Sequence, residues 1–112
     1  MNDKELADKV VALGVGSADI TVAFLGKYHA PDTYASPISA DNFVRDWRVA
    51  GALMEALERD YTVHINRYVM YDVDVFDAEC LHAANQRNES LPRAIIEACC
   101  EALCEKRGIR YD

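Results

Sequence analysis

The residues of this chain best suited to chemistry lie in two short alternating stretches. YTVHINRY, residues 61–68, carries His64 and Asn66, and YDVDVF, residues 71–76, carries Asp72 and Asp74. Side chains two apart on a strand point to one face. If the two strands pair in register, the imidazole, the amide and the two carboxylates converge. Such a set can hold a divalent cation or exchange protons with a substrate. Alternating polar residues are also what any solvent-facing sheet displays, so His64, Asp72 and Asp74 are candidate binding residues before they are candidate catalysts. Cys80 and His82, two apart, and Cys100 and Cys104, four apart, offer ligand types that zinc accepts. The CxxC spacing of a zinc knuckle is missing, and the second pair lies in an apolar helical pattern. Cys80 and His82 therefore stand only as weak metal candidates, and the sequence calls for no cofactor. None of Ser17, Ser36, Ser39 and Ser90 sits in a nucleophile elbow. LGVGSAD, 13–19, lacks both the third glycine of a dinucleotide-binding turn and the lysine of a phosphate-binding loop.

A third group of candidates falls in KYHAPDTYASPIS, 27–39. Pro31 and Pro37 exclude a regular ladder there, and Asp32, Ser36 and Ser39 are turn formers. Tyr28, His29 and Tyr34 give this loop an aromatic load suited either to contacting a partner or to covering the edge of a core.

The elements that must position these residues follow from periodicity. Asn2 and Glu5 predict a capped helix over about 3–13, ended by Gly14. ITVAFL, 20–25, reads as a short buried strand. From Ser39 to Asp60 the apolar residues Phe43, Trp47, Ala50, Met54 and Leu57 predict one long amphipathic helix, widened by Val44, Gly51 and Leu53. On that reading Trp47 is buried against a sheet, Gly51 permits close approach, and Trp47→Ala costs about 3–5 kcal/mol. Strands follow over 61–68 and 71–76, with a weaker one over 79–85. Their short connections imply an antiparallel meander with one wet face. The last helix starts at Ser90, tolerates Pro92 in its first turn and stops at Gly108. Its Glu97, Glu101 and Glu105 form a row four residues apart, expected to face solvent.

Length and composition set the frame. At 112 residues the chain makes a single domain, 1–112, with one core. The hydrophobic fraction is 51% and the charged fraction 28%, values typical of a globular protein. There is no membrane-length apolar run and no signal-peptide pattern in MNDKELADKV, so the protein is expected to stay in the cell that makes it, with reduced thiols the default. A net charge of -7 opposes direct binding to a phosphate backbone. It suits a basic partner instead. The fold class is α+β, with a small, mainly antiparallel sheet of three to four strands packed with three helices.

FVRDWRVAGALMEALE, 43–58, and NESLPRAIIEACCEAL, 88–103, read together with ELADKVVALGVG, 5–16, resemble the phage ABA sandwich domain family of small tailed-phage and prophage proteins. The likeness covers most of the chain in order, with the Tyr-Ser-Pro-like loop split here as Tyr34, Ala35, Ser36, Pro37. The resemblance implies a three-layer α-β-α sandwich made in the cytoplasm of a bacterial host. It brings no activity, cofactor or catalytic residue. The expectation is a non-enzymatic accessory protein that binds a host or phage macromolecule, with counter-defence as one version and a protein as the partner. A small metal-dependent or acid–base enzyme and a self-associating structural protein, hence a homo-oligomer, remain the alternatives.

Overall fold

The computed structural model describes residues 1–14, 39–57 and 60–111. Tyr28, His29 and Tyr34, and the strand expected over 20–25, lie outside the described residues. Described are helices α1 (Asp3–Leu13), α2 (Ala40–Phe43), α3 (Trp47–Leu57) and α4 (Leu91–Arg107) and strands β1 (Thr62–Arg67), β2 (Tyr71–Phe76) and β3 (His82–Asn88). The strands form one antiparallel sheet in the order β1-β2-β3. The α+β class is as expected from the sequence, with a small sheet packed against helices. No described helix is long and apolar enough to cross a membrane.

Helix ends sit where their capping residues put them. Asn2 Oδ1 accepts from the Glu5 N–H at 2.8 Å, and Gly14 closes α1 at φ +65°, a backbone conformation open mainly to glycine. Ser90 Oγ accepts from the Arg93 N–H at 3.4 Å. Gly108, at φ +68°, donates to the Glu105 carbonyl, and the Ile109 N–H donates to the Cys104 carbonyl at 2.8 Å. That pair of bonds is a Schellman motif.

The molecule is organised around α4. Ala94, Ile95, Ile96, Ala98, Cys99, Cys100, Ala102, Leu103 and Cys104 are all buried, so apolar residues face inward all round this helix. One side of α4 packs on β2 and β3, where Val73, Val75 and Ala84 point toward it, and α3 and α1 pack on other parts of its surface. Among the described residues the layers therefore run from the sheet to α4 and then to α1 and α3, rather than the helix-sheet-helix order implied by the family resemblance. The opposite sheet face carries the exposed His64, Asn66, His82, Asn85 and Arg87.

Three expectations are corrected. First, the 39–60 helix is broken. Asp46 ends the short α2 turn region and starts α3, its Oδ1 accepting from the Arg48 N–H at 2.7 Å and its carbonyl from the Ala50 N–H. The break turns the apolar face onto Val49, Ala50, Leu53 and Leu57. Trp47, in the first turn of α3, is 58% exposed. A Cβ added at Gly51 would meet nothing within 4 Å, so no close approach depends on that glycine. Second, the third strand begins at His82, three residues later than expected. Asp77 Oδ1 accepts from the N–H groups of Glu79 and Leu81, both at 2.9 Å, and folds 77–81 into a turn with Cys80 at φ +63°. Third, the glutamate row is not a solvated stripe. Glu97 accepts from Arg93 Nε at 2.6 Å, Glu101 accepts from Gln86 Nε2 at 3.2 Å, and only Glu105 is exposed.

Candidate functional site

The register brings the outward side chains of all three strands together. His64 lies opposite Asp74, and Asn66 opposite Asp72. On the other side of β2, Asp72 faces Arg87, Asp74 faces Asn85, and Phe76 faces His82 across a bulge at Val75/Phe76. The convergence expected of His64, Asn66, Asp72 and Asp74 is present, and β3 adds His82, Asn85 and Arg87.

Hydrogen bonds fix this face. Asn85 Nδ2 donates to Asp72 Oδ1 at 2.5 Å and to Asp74 Oδ1 at 2.8 Å. His82 Nε2 hydrogen-bonds the same Asp74 oxygen at 2.8 Å. Arg87 Nε lies 3.5 Å from Asp72 Oδ2. Asp72 is only 7% exposed, because the flanking strands and these partners enclose it. Phe76 stands between the two imidazoles, its ring centroid 5.2 Å from that of His64 and 5.2 Å from that of His82. His82, and not His64, is therefore the histidine in contact with a carboxylate.

The chemistry open to this arrangement is limited by how fully its acceptors are engaged. Asp72 Oδ1 accepts one hydrogen bond, Asp72 Oδ2 has the Arg87 guanidinium beside it, and Asp74 Oδ1 has two hydrogen-bond partners. A ligand at Asp72 Oδ1 or Asp74 Oδ1 would have to compete with those donors, and hydrogen bonds to a charged carboxylate are the stronger ones. Among the described residues no group of three or more His, Cys, Asp or Glu side chains is placed to hold a metal. The weak pair Cys80 and His82 is split by structure, since Cys80 lies in the 77–81 turn and His82 opens β3. Cys100 and Cys104 are buried with Cys99 in α4. Burial pushes the Cys99 thiol up to about 12. Burial, followed by the neighbouring Cys104, pushes Cys100 up as well. Cys99 and Cys100 are thus protonated core thiols.

Beside the polar face, at the hairpin joining β1 and β2, a cleft of about 400 Å³ is lined by Tyr68, Val69, Met70, Asp72 and Arg87. Val69 is fully exposed and Tyr68 71% exposed. Sequence reasoning missed His82, Asn85 and Arg87 as members of the face because it began the third strand too early. The Asp77-x-Glu79 turn former ahead of them was the available signal. No family model, curated protein or solved structure matches the chain.

Proposed function

We propose that this is a non-enzymatic phage or prophage accessory protein that acts by binding a host or phage protein through the outward face of its sheet. The observation that carries this reading is the hydrogen-bonded frame of Asp72, Asp74, His82 and Asn85, with Arg87 paired to Asp72 at its edge. Carboxylates held by neighbouring donors make a preorganised recognition pattern and a poor acid–base pair. A fixed surface loses little conformational entropy on binding. The net charge of -7 favours a partner with a basic surface, which it would steer toward encounter. The phage setting rests on the residues that resemble the ABA sandwich family. A cytoplasmic location and a counter-defence role follow the same reasoning.

The test is affinity capture from bacterial lysate with the wild-type chain beside Asp74→Ala and Asn85→Ala. A defined basic protein retained by wild type and reduced about tenfold or more by either substitution is the expected result. Capture unaffected by both, with the variants folded, would remove the sheet face from the reading.

A further inference from the structure

We propose that β1 is the seam of a homodimer, in which two copies pair their β1 strands antiparallel about a two-fold axis at His64 and build one continuous six-stranded sheet. Among the described residues β1 pairs with β2 alone. Thr62, His64, Ile65, Asn66 and Arg67 are exposed, Ile65 by 46%. Helix α4 packs mainly on β2 and β3, so that on the helix side of β1 Val63 is half-buried against the core while Ile65 and Arg67 stay exposed. In the neighbouring β2, Val73 and Val75 on that same side are 0% exposed.

Among the described residues the two outer strands are unlike. Sheet edges are usually guarded by proline, lysine, bulges or inward charge. β3 has its bulge opposite Val75/Phe76. β1 pairs without interruption through all six residues and contains neither proline nor lysine, and its one charge on the helix side, Arg67, stands at the last position before the hairpin. Three of its residues, Thr62, Val63 and Ile65, are β-branched, the type that favours strands.

Backbone geometry then selects the pairing. The Tyr68 N–H donates to the Met70 carbonyl at 2.9 Å. Antiparallel alternation therefore turns the backbone groups of Thr62, His64 and Asn66 toward β2, and those of Val63, Ile65 and Arg67 toward the open edge. A two-fold axis perpendicular to the sheet keeps each face on its own side, so it pairs odd positions with odd. With the axis at His64, Val63 meets Ile65 of the second copy and Ile65 meets its Val63. Four apolar side chains then cover one another on the helix side.

Charge fits the same arrangement. At the hairpin end of β1 stand Arg67 and the exposed Tyr68, Val69 and Met70. At its other end opens a cleft of about 250 Å³ lined by Asp60, Tyr61, Asp77, Ala78, Glu79 and Lys106, three carboxylates against one ammonium. Antiparallel pairing sets the Arg67 end of each copy beside the acidic end of the other, twice by symmetry, with Arg67 opposite Tyr61 and next to Asp60. A parallel arrangement would set like ends together. An isologous pair of this kind is closed, so association stops at two and the polar face doubles in width.

The test is mass in solution by sedimentation equilibrium, with chemical cross-linking of the axis. Wild type is expected at twice the 12.5 kDa chain mass. Ile65→Lys should return a folded monomer. Should that variant fail to fold, Arg67→Glu, at the exposed strand end, should raise the dimer dissociation constant by about tenfold. Residues facing each other at a non-hydrogen-bonded position lie about 4.5 Å apart between Cα atoms, within disulfide range. In a Cys80→Ser background, which removes the exposed thiol, His64→Cys should therefore oxidise to a covalent dimer and Thr62→Cys should not. A wild-type protein that stays monomeric at its solubility limit overturns the proposal. So does a dimer that survives both Ile65→Lys and Arg67→Glu, or one that cross-links through Thr62→Cys and not His64→Cys.

Discussion

Asp46 and Trp47 are adjacent, and the structure gives them opposite weights. Trp47 is 58% exposed, so Trp47→Ala removes little buried surface and should shift stability by about 0.5 kcal/mol or less, as surface substitutions do. Chemical denaturation would measure it, and a loss of several kcal/mol would restore the buried tryptophan that the periodicity predicted. Asp46 caps the Arg48 N–H and clasps the Arg48 guanidinium at 2.8 Å, so Asp46→Ala should cost about 1 kcal/mol. The Arg48 hydrogen bond, ahead of other influences, holds the Asp46 carboxyl below its ordinary 3.8. A depressed acid binds fewer protons folded than unfolded near its pKa. Its contribution is thus fully present above the ordinary value and fades as pH falls through the lower folded value. Acid unfolding followed with and without Asp46→Ala should show the two curves converging below pH 3.8. The break at Asp46 was hidden because steps of four, three, four and three from Phe43 to Leu57 fit an unbroken helix. An aspartate that caps and an aspartate in a first turn look alike in sequence. By contrast, Asn2, Ser90, Gly14 and Gly108 were legible, since each acts on a neighbour three or four residues away.

Helix α4 contributes more buried apolar residues than any other described element. Ile96 is 0% exposed on a helix that packs on the sheet, α3 and α1, so Ile96→Ala opens a cavity with little freedom to collapse. The cost should be about 2–5 kcal/mol, read as a lower denaturant midpoint at unchanged slope. The buried thiols of the same helix make an alkaline prediction. Burial raises Cys99 from 9.0 to about 12, so the folded chain keeps a proton that the unfolded chain releases between those values. Stability is therefore complete below pH 9 and declines through the interval up to about 12. Cys99→Ala should flatten that decline, and an unchanged profile would mean that other groups govern it. In the native state only the exposed Cys80 should react with iodoacetamide. The meander and its polar face were legible because β2 alternates apolar and polar without interruption and its bounds match the expected 71–76. The central position of α4 was not. One apolar face and a glutamate row predicted a surface helix, but Glu97 and Glu101 are occupied by Arg93, Asn88 and Gln86.

Across the whole molecule, one ion-pair chain ties the start of the sequence to its last helix. Arg93 is 8% exposed. Its guanidinium meets Asp3, takes the Glu97 carboxylate at 2.6 Å and donates to the Met1 carbonyl at 3.2 Å. Asp3 also meets Arg45 at 3.2 Å, and Asn88 donates to Glu97 at 3.4 Å. Residues from α1, the α2–α3 junction, the end of β3 and α4 thus share one network. Sequence periodicity cannot register it, because the partners Asp3 and Arg93 stand far apart along the chain. Removing one member of a buried pair leaves the other without its partner. Arg93→Ala should accordingly destabilise the fold by about 3 kcal/mol, the lower end for such deletions because Asp3 keeps Arg45 and is partly solvated. Replacing both charges by apolar residues, Arg93→Met with Glu97→Leu, should recover much of that loss. Hydrogen exchange separates this account from a general weakening. In Arg93→Ala the amides of α1 should lose protection first while those of β2 keep theirs, since α1 reaches the core through α2 and α4 and the sheet does not depend on it. Equal loss across α1 and β2 would mean that Arg93 supports the core as a whole rather than the attachment of the first helix.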